Sequence, residues 1–229
     1  MKKPLVIGVG LAGFVAVVVL AVTFVDDAKP TAPVALLPGT PEIDLLALVD
    51  PSRDAVRGTW TLENGRLVSD DGNASLLELP YVLPDEYSFT IEFVRRSGND
   101  GVHQILAHGG KVFVWQMGGW NNTIFGLSKI NGKPANENPT ALKKDRCLEN
   151  GRPYMSTVEV RKDRVTVYLD NRKLADWKTD YGDIDRDDEW RLRLDTLPGI
   201  GTWGSSTEFR KIRLFEVSGK GRPLRPKSK

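Results

Sequence analysis

Between Tyr154 and Trp177 the chain has little choice but to form sheet. Val158 and Val160 alternate with Thr157, Glu159 and Arg161, and Val165, Val167 and Leu169 alternate with Arg164, Thr166 and Tyr168. A period of two hides one row of side chains and leaves the other in water. The alternation breaks at Lys162-Asp163 and at Asp170-Asn171-Arg172, and Asn171 tolerates the left-handed backbone of a tight hairpin. The segment predicts three antiparallel strands folded on one another, and such a ribbon needs more sheet to cover its apolar face.

The flanking sequence supplies that sheet. Asn64-Gly65 between apolar residues is a strong hairpin signal, and Leu76 to Leu79 reads as a strand closed by Pro80. Tyr87, Phe89, Ile91 and Phe93 fall on one face of a further strand. Val102 to Ala107, Lys111 to Met117, Thr123 to Ile130, Trp190 to Leu194 and Gly199 to Trp203 follow as strands, with loops at Asn131–Pro139 and at the acidic Asp180–Glu189. The segment Ile43–Val49 fits either a strand or a helical turn. In the closing strand, Glu208 to Val217, Phe209 is out of phase with Ile212 and Leu214, which predicts a bulge. About a dozen short strands with turns every 8–12 residues predict an all-β fold, a sandwich of two antiparallel sheets.

Several of these strands resemble a known family. Gly58, Thr59, Trp60, Gly65, Leu67 and Val68, followed by the Tyr87–Phe93 strand, resemble the opening of concanavalin A-like lectin/glucanase jelly-roll domains. Arg164–Asp170, Leu174, Trp177 and the Phe209–Phe215 strand resemble the late strands of laminin-G-like domains. Residues 42–218 are also similar to the bacterial 3-keto-disaccharide hydrolase domain family. The resemblance implies a jelly roll of two curved sheets whose concave face holds glycans in many relatives. Fold alone does not fix function.

The ends of the chain are unlike its middle. Lys2 and Lys3 precede an apolar run from Pro4 to Val25, and Asp26-Asp27 end it. About 20 apolar residues span a bilayer's hydrocarbon as one helix. The flanking charges predict a cytoplasmic amino terminus and a periplasmic, extracytoplasmic domain. A cleaved signal peptide is the rival, but no good small-x-small site follows the run. The expectation is a signal anchor over 1–25, membrane-embedded through residues 5–25, then a proline-rich linker over 26–41. Gly8, Gly10 and Gly13 match a dinucleotide fingerprint, but no strand–helix–strand unit surrounds them, and no cofactor is expected. Residues 219–229 read as a basic, disordered tail.

With 32 basic and 30 acidic residues, the net charge of +2 supplies no field for nucleic acid. Cys147 is the single cysteine, so no internal disulfide exists, and it reads as buried and inert. Glu42-Ile-Asp44 is the lone Glu-x-Asp, and no second glutamate follows. The paired carboxylates of a retaining glucanase are therefore missing, and no catalytic residues are assigned. The acidic loop 180–189 reads as solvated and paired with Arg186 and Arg191 rather than as a calcium site, so no metal is expected. His103 and His108 stand five apart on opposite faces and read as structural.

The candidate binding surface is aromatic. Trp115, Trp120, Asn121 and Asn122, with Trp203 as a second platform, combine indoles for sugar C–H faces with amides for hydroxyls. Trp60 and Trp177 read as packing residues. The reading that joins these features is a membrane-anchored extracytoplasmic module that binds glycans. An enzyme of the 3-keto-disaccharide hydrolase type, and a structural envelope or interaction protein without a small ligand, stay open as alternatives.

Overall fold

The computed structural model describes residues 41–225. The anchor and nearly all of the linker expected from sequence lie outside them. Among the described residues no helix is long and apolar enough to cross a membrane.

Two antiparallel sheets face each other. The eight-stranded sheet runs Arg172–Lys178, Arg164–Leu169, Pro153–Arg161, Glu86–Arg95, Thr207–Ser218, Arg66–Ser69, Trp60–Glu63, with Glu42–Asp44 also paired to Thr207–Ser218. The seven-stranded sheet runs Leu142–Lys143, Ile124–Leu127, Lys111–Gly118, Val102–His108, Gly199–Thr202, Ser75–Glu78, Ala55–Arg57. The Tyr154–Trp177 meander forms one edge of the larger sheet. Arg161 pairs with Arg164 across Lys162-Asp163, and Leu169 with Arg172 across Asp170-Asn171. Asp170 and Asn171 have φ of 51° and 62°, the left-handed pair that a two-residue hairpin requires. Asn64-Gly65 turns likewise, joining Glu63 to Arg66.

The core lies between the sheets. Tyr87, Phe89, Ile91 and Phe93 are all fully buried there with Val158, Val160, Val165 and Val167. Gln104 is a buried polar residue among them. Its amide donates to the Phe89 carbonyl at 3.0 Å and accepts from Ser156 Oγ at 2.7 Å, so its burial leaves neither end unpaired. The register slip between Phe209 and Lys211 is the expected bulge, and it lets Phe209 join Ile212 and Leu214 in the core.

One open expectation is resolved and others are corrected. Ile43–Val49 is both a strand (Glu42–Asp44) and a short 3-10 turn (Leu46–Leu48). Trp190–Leu194 is not a strand. Asp188–Trp190 forms a 3-10 turn, and Trp190 and Leu192 pack with Leu76, Ile105, Ala107, Val112 and Val114. These apolar residues occupy the outer face of the seven-stranded sheet and need a cover, which the downstream end of the acidic loop provides. Asp188 of the loop pairs with Arg191 at 2.7 Å and with Arg186 at 3.8 Å, Arg186 lies closer to Asp195 beyond the loop at 2.9 Å, and Ile184–Asp185 pairs with Lys129–Ile130. Finally, the start of the 219–229 tail is ordered. Arg222–Pro223 pairs with Tyr81–Val82, and Arg225 donates to both oxygens of the buried Asp54 carboxylate.

Candidate functional site

Alternation decides which side chains of the seven-stranded sheet reach its outer face. In Val102–His108 these are His103, Ile105 and Ala107; in Lys111–Gly118 they are Val112, Val114 and Gln116. His103 and Gln116 are direct register partners, and they floor a cleft of about 380 Å³. Trp190 and Trp203 wall it, and Asp100, Trp120, Asn121, Asp187 and Glu189 complete its lining. The His103 and Trp190 rings stack, while Trp190 and Trp203 meet edge to face at 6.3 Å. Gly201 permits this closeness, because a Cβ there would sit 2.6 Å from the Trp190 ring.

One turn holds the exposed indole. Gly118, Trp120, Asn121 and Asn122 all have left-handed backbone, with φ of 74°, 51°, 56° and 66°. Asparagine tolerates this region, but tryptophan does so at a cost of about 1–2 kcal/mol. Such backbone persists only where its surroundings enforce it, and it clusters at ligand clamps. Here Asn122 is nearly fully buried and makes two bonds to Leu148, donating to its carbonyl at 2.7 Å and accepting from its N–H at 2.8 Å. Thr123 Oγ1 donates to the Trp120 carbonyl at 2.7 Å, and the Asn121 N–H donates to Asp100 Oδ2 at 3.3 Å. Trp120 is left 41% exposed beside the cleft.

Beneath this turn lies Arg95, 2% exposed. It donates to Asn150 Oδ1 at 2.6 Å, to the Asp100 carbonyl at 3.0 Å and to the Leu148 carbonyl at 2.9 Å. One guanidinium thus ties the Asp100 segment of the cleft to the Leu148–Asn150 segment that Asn122 grips.

The cleft is rich in acceptors. Burial pulls the His103 pKa down to about 3, a bond to the Gly201 backbone only partly opposing it, so the ring is neutral at physiological pH. Its Nδ1 is buried without a partner among the described residues. Burial raises the Asp100 carboxyl above its usual value against the bond from Asn121. Asp187 is engaged by Lys129 at 2.7 Å and by Ser128 Oγ at 2.8 Å, while the exposed Glu189 carboxylate has no partner among the described residues.

Of the residues expected from sequence, the structure brings Trp120, Asn121 and Trp203 together. Trp115 is corrected: it shares the inward face with Phe113 and Met117, is fully buried and stacks with Phe125 at 6.4 Å. Asn122 shapes the turn and does not reach the cleft. His103, Gln116, Asp100, Asp187, Glu189 and Trp190 were not expected there. Strand parity was the available signal for the first two, since residues opposite each other across the Gly109-Gly110 hairpin share a face. His108 lies at the other end of its strand, with Nδ1 against the Asp85 carbonyl at 2.8 Å. Cys147 is half-buried, not buried, and burial pushes its thiol up to about 11, so it stays protonated. Trp60 is a core residue, and Trp177 donates to Asp183 at 3.0 Å.

No family model matches the sequence. Over 130 residues the chain is 30% identical to the extracellular exo-α-L-arabinofuranosidase of Streptomyces chartreusis, an alignment covering 54% of this chain and 15% of that enzyme. Among solved structures it is similar to the carbohydrate binding module CBM66 of Bacillus subtilis, at 13% identity over 71% of this chain and 94% of the module, TM-score 0.51. It is also similar to a structure described as a native glycosidic hydrolase, at 11% identity over 81% of this chain and 99% of that one, TM-score 0.51. The fold is a β-sandwich shared with proteins of glycan chemistry. At these identities the structural likeness establishes the architecture. The sandwich expected from the strand pattern is therefore present, whereas the 3-keto-disaccharide hydrolase family is not shown.

Proposed function

We propose that this chain is a glycan-binding module, held outside the cytoplasm by its amino-terminal apolar segment, and that the cleft over His103 and Gln116 is its binding site. One observation carries the reading: Trp120 is kept exposed at the cleft by a turn of left-handed backbone that buried Asn122 enforces. An exposed indole beside amides and carboxylates suits a sugar ring, with C–H faces for the indole and hydroxyls for the polar groups. The fold shared with a carbohydrate-binding module supports it, as does the partial identity to an extracellular glycosidase. Residues 4–25, flanked by Lys2-Lys3 and Asp26-Asp27, support the anchor.

Affinity electrophoresis tests the binding. The soluble domain should be retarded in gels containing at least one of a β-glucan, an arabinan, a galactan and a mannan, and Trp120→Ala should run unretarded. No retardation in any of them removes the sugar reading. A second reading, a hydrolase of the 3-keto-disaccharide type, draws on Asp100 and Glu189 standing beside neutral His103. Release of a reducing sugar from a 3-keto-glycoside, abolished by Glu189→Gln, would establish it instead.

A further inference from the structure

We propose that the cleft takes uncharged sugars in preference to acidic ones, because the charged groups of its lining are carboxylates and it offers no cation to a carboxylate on the ligand. The inference rests on the glycan reading above and narrows it to a ligand class.

Three observations converge on it. The first is His103. It floors the cleft as a ring only 1% exposed, stacked under Trp190. The ring is too desolvated to take a second proton there and become a donor to an anion. The second is the rim. Asp100, Asp187 and Glu189 line the cleft, and none of its lining residues is a lysine or an arginine. The nearby Lys129 is committed to Asp187 at 2.7 Å, and Arg57 reaches only the Glu189 main-chain carbonyl at 3.3 Å. A carboxylate or sulfate on the ligand would therefore meet like charge in a partly desolvated space. The third is that Trp120 and Trp203 both line the cleft and offer apolar surface to an uncharged ring.

The test uses each polysaccharide that retards the soluble domain, in three forms: native, oxidised at its primary alcohols to carboxylates, and oxidised then methyl-esterified. The dissociation constant should rise about tenfold or more on oxidation and recover substantially on esterification. Glu189→Gln, at an exposed position that leaves the fold intact, should narrow the gap between native and oxidised forms. His103→Phe, which keeps a ring against Trp190 and changes no charge, should leave the ratio between native and oxidised affinities unchanged. Should His103→Phe fail to fold, the Glu189→Gln comparison decides. Equal affinity for native and oxidised forms, or tighter binding of the oxidised form, overturns the charge selection and leaves the glycan reading standing. Absence of binding to every form, or binding untouched by Trp120→Ala, overturns both.

Discussion

The imidazole of His103 stacks on the indole of Trp190 with ring centroids 3.8 Å apart and planes 29° from parallel. This contact joins the cleft floor to the loop that covers the outer face of the seven-stranded sheet. It also seals the histidine from water and so ties the stability of the domain to pH.

The sign follows from the folded and unfolded pKa values. His103 titrates near 6.5 when unfolded and near 3 when folded. Its neutral form therefore contributes stability that is fully present above pH 6.5 and is lost as pH falls toward 3. The slope is up to about 1.4 kcal/mol per pH unit. Urea unfolding at pH 6.5 and pH 5 should show wild type losing roughly 2 kcal/mol more than His103→Gln over that interval. Equal losses would mean that His103 is solvated.

Arg95 should matter to both fold and site. Its three bonds hold the Asp100 and Leu148 carbonyls and Asn150, and bonds from a charged donor are stronger than neutral ones. Arg95→Met should cost about 3 kcal/mol in urea unfolding. In the affinity gel it should also weaken retardation, because the Asp100 segment loses its fastening to the Leu148–Asn150 segment that holds the Trp120 turn. Unchanged stability would show that the loops hold without it.

How much of this was legible in the sequence follows from how local each feature is. The Tyr154–Trp177 meander, the Asn64-Gly65 hairpin and the Phe209 bulge depend on neighbours along the chain, and residue period and turn chemistry reveal them. The cleft depends on neighbours across the sheet. His103 and Gln116 meet because two strands pair, and Trp190 arrives from a loop distant in sequence. Trp115 looked like Trp120 in composition but occupies the opposite parity of its strand, so counting alternate residues from Phe113 places it inside. The order in residues 219–225 arises because buried Asp54 needs a cation, a demand set by tertiary contacts.

Glu208 anchors a basic cluster on the larger sheet. Burial alone would raise its carboxyl, but bonds from Arg210 and Arg96 and the charges of Arg66 and Arg210 outweigh it and hold the pKa at about 2. The carboxylate lies 2.9 Å from Arg66, 2.7 Å from Arg96 and 2.7 Å from Arg210. Its folded pKa is below the ordinary 4.5, so its contribution is present above pH 4.5 and is lost as pH falls toward 2. Glu208→Gln should cost about 1–3 kcal/mol at pH 7. The difference from wild type should close by pH 2, as followed by urea unfolding across that range. A gap that persists at pH 2 would place the effect in packing, not charge.

The most direct check on the central claim is the ¹⁵N-indole spectrum of the six tryptophans, recorded while the soluble domain is titrated with fragments of a polysaccharide that retards it in gels. The Trp120 and Trp203 indole signals should shift in proportion to saturation, with those of Trp60 and Trp115 unmoved in the core. Shifts at Trp177 alone, or saturation with Trp120 unmoved, would contradict a glycan site in this cleft.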